Sequence, residues 1–273
     1  MSAAVTFAGL APAWEIDANR HWSTVFYLRA FEAASLRHGL ASGMAGAPPA
    51  RVLHLRFVRE LGIGDTLRVE SRALAAAEPY DAAHAMRHGA TGALAATALE
   101  LRDGARPGPE EERAGEAAPR GLPPGAQPPE ETAALLAQRR AAISHAGVLE
   151  AGAFDAGGAL SFAGLQSRVA DGNGPLWQHL GVPSEAFHGR GLGRVNVELK
   201  LTRHAPAAPG MAVRLVSRVA EAGERSIRLH HQLEELATGR VLGSAAAVAL
   251  VIDLERRRAT AMPADLRAAL GRG

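Results

Sequence analysis

The chain has no cysteine, which excludes disulfides, thiolate metal sites, iron–sulfur clusters and cysteine nucleophiles. Lysine is nearly absent too: of 30 basic side chains only Lys200 is not arginine. No run reaches the roughly 20 apolar residues that a membrane helix needs. The longest, "GSAAAVALVIDL", is interrupted by Asp253. The opening "MSAAVTFAGLAPAWEID" has no basic stretch ahead of a long apolar one, so no signal peptide is expected and the expected location is the cytoplasm, away from membranes. The arginines do not cluster on one element with aromatics between them, so no nucleic-acid partner is expected.

What is present is the material of a core. Of the 273 residues 47% are hydrophobic and 21% charged, with a net charge of +2, a balance typical of a folded globular chain of one large or two small domains. The middle breaks the pattern. "DGARPGPEEERAGEAAPRGLPPGAQPPEE", Asp103 to Glu131, is rich in Pro, Gly and Glu without apolar periodicity. It reads as a solvated linker, and "TAALLAQRRAAISHAG" after it has helical spacing. The expected division is residues 1–103, a linker at 104–131, and residues 132–273.

The two flanks resemble one another. "DTLRVESRAL" aligns with "MAVRLVSRVA", placing Arg68, Ser71 and Arg72 on Arg214, Ser217 and Arg218. Thr91–Gly92 falls on Thr238–Gly239, and "DAN" at Asp17 is matched to "DGN" at Asp171. Each copy opens with a short strand and a polar turn, continues into a helix, and then gives four or five β-rich runs separated by turn residues. In the first copy the helix is expected from about Trp22 to His38, ended by Gly39, with Val25, Leu28, Phe31, Ala34 and Leu36 on its apolar face. One helix and an antiparallel sheet, written twice, is an α+β plan in which the sheet wraps the helix.

Ahead of the first helix, Asp17, Asn19 and His21 alternate in "DANRHWSTVFYLRAFE". An acid beside a helix N-terminus is commonly a cap. It is also placed to act as a base or nucleophile on a carbonyl polarised by unpaired backbone N–H groups. The second copy keeps Asp171 and Asn173 but has Pro175 where the histidine would fall, so its site is expected to be degenerate. His84, His88, His230 and His231 lack carboxylates at ligand spacing, so no metal is expected. Arg68, Arg72, Arg214 and Arg218 are either ordinary solvated strand residues or contacts for phosphates or for an acidic protein surface.

The stretch "DANRHWSTVFYLRAFE" resembles the D-x-N-x-H-x-N-N-x-x-Y-L pattern of hotdog thioesterases of the 4-hydroxybenzoyl-CoA and acyl-carrier-protein type. Asp17, Asn19, His21, Tyr27 and Leu28 fit it; Ser23 and Thr24 replace the two Asn residues, and Arg20 stands where many members have Gly. The strand order and the proline-containing tail are similar as well. The resemblance implies two tandem hotdog domains forming an internal pseudo-dimer, either monomeric or further associated. It implies hydrolysis of an acyl-CoA or acyl-carrier-protein thioester without a cofactor. It also implies Asp17, Asn19 and His21 as catalytic residues, with Trp22, Thr24, Asp171 and Asn173 lining the substrate site. Two other functions fit the same fold. One is a 3-hydroxyacyl thioester hydratase or dehydratase, suggested by "DGNGPLW"; the other is a non-catalytic acyl-thioester-binding protein.

Overall fold

The computed structural model describes residues 4–17, 20–43, 49–104 and 112–271. It divides into two units, Met1–Ala126 with Ser161–Ala163, and Gln127–Leu160 with Gly164–Gly273. Among the described residues no helix is long and apolar enough to cross a membrane.

The first unit holds strand β1 (Ala4–Leu10), helix α1 (Thr24–Ala41), and strands β2 (Val52–Phe57), β3 (Thr66–Ala73), β4 (Ala82–His88) and β5 (Leu94–Leu101). The strands lie in the order β1-β3-β4-β5-β2, every neighbour antiparallel. α1 forms because Tyr27, Leu28, Phe31, Ala34, Ser35 and His38 recur at helical spacing and are all buried. Phe31 and Leu28 are fully buried, each contributing about 1.5–3 kcal/mol. Two helix expectations are corrected. Gly39 does not end α1 but lies inside it, and the chain turns at Gly43, whose φ of 72° suits glycine. Leu36 lies off the buried stripe and is exposed.

The second unit repeats the plan. It contains α2 (Thr132–Ala137), β6 (Ala142–Val148), α3 (Phe162–His179), α4 (Ser184–His188), β7 (Leu192–Arg203), β8 (Ala212–Ala222), β9 (Ser226–Glu235), β10 (Val241–Asp253), β11 (Arg258–Ala259) and α5 (Ala264–Leu270). Its strand order is β6-β8-β9-β10-β7, again antiparallel, with β11 added on β10. The Arg-Ser-Arg alignment holds, since β3 and β8 occupy the same place in their sheets. The "DAN"–"DGN" alignment does not. β1 corresponds to β6, and α1 to α3, at a constant offset of 138 residues. Asp171 and Asn173 therefore lie inside α3, where Asp171 pairs with Arg168 one turn earlier, 3.4 Å away.

The Pro/Gly/Glu-rich segment also differs from expectation, because its described part is packed rather than solvated. The face of the first sheet turned away from α1 carries Val52, Ala83 and Leu99, which join Leu74 and Tyr80 in one cluster with Ala114 and Ala117. An apolar sheet face needs cover, and this segment supplies it. Arg56 donates to the carbonyls of Glu116 and Ala118 at 2.7 and 2.9 Å, and the Gly125 N–H donates to the Tyr80 hydroxyl at 3.0 Å. The end of the segment, from Gln127, belongs to the second unit, where Glu130 accepts two bonds from Arg218 and the Thr132 hydroxyl donates to Glu234. The strand arginines are engaged by acids of the protein itself. Arg72 pairs with Glu112, Arg68 with Glu70, Arg214 with Glu234 and Arg218 with Glu130.

Candidate active site

The loop ahead of α1 is built by short-range hydrogen bonds. Ile16 and Trp22 form an isolated antiparallel bridge. The Asp17 N–H donates to the His21 carbonyl at 2.8 Å, and the Arg20 N–H to the Asp17 carbonyl at 3.0 Å. To close this turn Arg20 takes a φ of 64°, in the left-handed region. Asp17 is exposed, and its Oδ1 accepts the His21 N–H at 3.0 Å. It accepts within its own loop, and the N-cap of α1 is Ser23, whose side chain makes no cap bond. Asn19 lies outside the described residues.

His21 has a partner that sequence reasoning missed. Its Nε2 lies 3.0 Å from Glu60 Oε2 in the loop after β2. The two loops are tied by the Trp22 N–H donating to the Leu61 carbonyl at 2.7 Å. Glu60 is half exposed and 39 residues from His21, and one acid at the end of a strand gives no local signal. With Nε2–H donating to Glu60, a neutral His21 ring keeps Nδ1 as an acceptor.

Trp22 is buried. Its indole N–H donates to Glu15 Oε2 at 2.7 Å, and its ring centroid lies 4.6 Å from that of Tyr27. The Tyr27 hydroxyl accepts the Leu61 N–H at 3.1 Å, and burial holds its proton on well above the usual phenol range. Trp22 and Tyr27 thus fasten both loops to α1. Thr24 is half-buried at the first position of that helix. The first unit brings Asp17, His21, Trp22, Thr24 and Glu60 to the entrance of α1, whereas Asp171 and Asn173 lie within helix α3 of the second unit.

The same loop recurs in the second unit, with its own Phe154–Leu160 bridge and an Asp155 N–H donating to the Ala159 carbonyl. Asp155 is the true counterpart of Asp17. Its Oδ1 accepts the Gly157 and Ala159 N–H groups, and its Oδ2 faces Arg203. The position of His21 holds Ala159. The hydrogen bonds from Arg59 and Ala205 to matching carbonyls align Glu60 with Pro206. The second copy thus keeps the turn without the imidazole and its acid.

A family model described as the thioesterase-like superfamily matches residues 11–102 and 149–270. Among solved structures, a putative oleoyl thioesterase from Lactobacillus plantarum is 12% identical, with a TM-score of 0.63 over 92% of this chain and 97% of that one. The 12:0-ACP thioesterase from Umbellularia californica is 15% identical, with a TM-score of 0.57 over 90% of this chain and 93% of its own. An acyl-ACP thioesterase from Bacteroides thetaiotaomicron gives 11% identity and a TM-score of 0.56, over 89% and 96% of the two chains. At such identities these likenesses establish the fold, a tandem hotdog. A comparison with curated protein sequences finds no match.

Proposed function

The chain belongs to the thioesterase-like superfamily, and we propose that it hydrolyses acyl thioesters at the loop of its first hotdog unit. The observation that carries this reading is the His21–Glu60 pair at 3.0 Å beside the exposed carboxylate of Asp17, present in one copy and absent from the other. Asp17 serves as base or nucleophile toward the thioester carbonyl, with Asn19 and His21 orienting water or polarising that carbonyl. Glu60 fixes the tautomer and direction of the imidazole, the part an acid plays behind a catalytic histidine. The Ser23 side chain does not cap α1, and a first-turn N–H of that helix serves as donor to the developing oxyanion, such a donor being worth about 3 kcal/mol. The products are a free thiol and a carboxylic acid.

The hydratase reading loses its basis, since "DGNGPLW" is helix α3 rather than the entrance to a helix. Free-thiol release from a panel of short, long and aromatic acyl-CoA and acyl-carrier-protein thioesters tests the proposal. The protein contributes no thiol background, having no cysteine. Release with at least one substrate is expected; its absence throughout refutes the hydrolase.

A further inference from the structure

The two copies differ at more than the reacting groups. Trp14, in the short 3-10 turn before Asp17, is 82% exposed, the most exposed large apolar side chain described. Arg20 and Arg59 are exposed as well. Arg20 sits at the tip of the Asp17–His21 loop, and Arg59 adjoins Glu60. Nearby acids are already engaged: Glu15 by the Trp22 indole, Asp17 by the His21 N–H, Glu60 by the His21 ring. The two guanidinium groups have no such carboxylate partner among the described residues. In the second unit, whose backbone makes the same turns, these positions are Gly152, Gly158 and Ala205.

Arg20 is the telling case. Gly158 takes φ 79° where Arg20 takes 64°, so this turn requires the left-handed region and glycine meets that requirement without strain. An arginine there is held against its backbone preference; Arg139 and Arg257 take the same conformation at φ 58° and 53°, so what marks Arg20 is that the matching turn of the second unit carries glycine. The exposed indole and the left-handed arginine are both absent from the matching positions of the second unit, Gly152 and Gly158.

We propose that Trp14, Arg20 and Arg59 form a binding site for the nucleotide end of a coenzyme A thioester. The adenine stacks on the Trp14 indole, and the phosphates are held by the two guanidinium groups. A base has a flat π-face that suits an exposed indole, and arginine presents paired donors to phosphate oxygens. This deepens the thioesterase reading and rests on it for the thioester, while the nucleotide subsite has its own test.

That test uses the full chain and 3′-phosphoadenosine 5′-diphosphate alone, followed by quenching of tryptophan emission. Trp22 and Trp177 are each only 5% exposed, so solvent-side quenching reports Trp14. Saturable quenching is expected, with affinity about tenfold weaker in Arg20→Gly and in Arg59→Ala. In Trp14→Gly, calorimetry should show a similar loss. These replacements are the residues the second copy carries on the same backbone, so none should lower the melting temperature, and Arg20→Gly should raise it. No saturable binding by the wild type at millimolar nucleotide overturns the proposal, as does binding that all three variants retain. Thiol release measured separately distinguishes the two readings. Hydrolysis of a carrier-protein thioester without nucleotide binding defeats the subsite alone; nucleotide binding without hydrolysis of any thioester defeats the hydrolase alone.

Discussion

His84 Nε2 lies 3.2 Å from Glu100 Oε2 in the core of the first unit, both residues almost wholly buried. Its counterpart His231 is as deeply buried, but Ala247 holds the position of that glutamate, and the His231 Nε2 has no partner among the described residues. The rest of the hydrogen-bonded chain is duplicated. Thr6, Ser71 and His84 are linked at 2.6 and 2.7 Å, and Ser144, Ser217 and His231 at 2.6 and 2.8 Å. Each ties an edge strand, β1 or β6, to the two strands beside it.

Glu100 also bonds Arg102, which donates to Ser35 of α1 at 2.6 Å. Glu100→Ala strands a buried imidazole and a guanidinium. Denaturant titration at pH 7 should show a loss of about 3–5 kcal/mol. A loss under 1 kcal/mol means the cluster is not the anchor of α1 that its contacts describe.

The acid response should divide between the units. Burial, with His230 nearby, lowers the pKa of His231 from 6.5 to about 3, so the unfolded chain takes up a proton in that interval that the folded chain refuses. Stability is whole above pH 6.5 and falls as pH drops toward 3. For Glu100, burial raises the pKa, but His84 and Arg102 outweigh it and hold the group at about 2, below its ordinary 4.5. Its contribution is intact above 4.5 and is lost between there and 2. His231→Leu should therefore flatten the fall in urea midpoint between pH 7 and 5. A residual slope is expected from His38 and His230, whose pKa values burial also lowers. An unchanged slope in His231→Leu refutes this assignment.

"DGN" should behave as helix, not as site. A Cβ on Gly172 would come within 2.6 Å of Ser144 Oγ and 2.7 Å of a Leu215 methyl, so Gly172→Ala should cost about 1–3 kcal/mol. Asp171→Ala removes one exposed ion pair and should change stability by less than about 1 kcal/mol, with turnover within twofold of wild type. A large loss of turnover in Asp171→Ala restores this segment to the site.

Tyr80→Phe tests how the Pro/Gly-rich segment is held. The hydroxyl joins His54 Nδ1 at 2.7 Å and the Gly125 N–H at 3.0 Å, so its removal leaves buried groups unpaired. A loss of about 1–3 kcal/mol is expected, together with faster proteolysis between Ala114 and Ala126. Unchanged cleavage there would show that the hydroxyl does not retain the segment.

Much of this was legible in the sequence where physical demands repeat. Ser71 and Ser217 carry the same hydrogen-bonded chain and the flanking arginines meet acids in both copies, so the Arg-Ser-Arg pattern survived in both strands. The paired turns also kept Thr-Gly, because Gly92 and Gly239 have φ values of 68° and 73°. The loop ahead of the helix was misread for the opposite reason. "IDANRHW" and "FDAGGAL" share the Asp-Ala pair and little else, and a chance "DGN" matches better. Glu60 went unseen because only folding brings it to His21. The covering segment was invisible because it packs through scattered alanines and backbone carbonyls, which leave no periodic trace.

The most direct measurement is thiol release by Asp17→Ala set against Asp155→Ala, its counterpart in the second unit. The account predicts that Asp17→Ala lowers turnover by at least about 10²-fold with folding intact, while Asp155→Ala stays within a few-fold of wild type. Turnover that survives Asp17→Ala, or fails only in Asp155→Ala, would contradict the placing of the chemistry in the first copy.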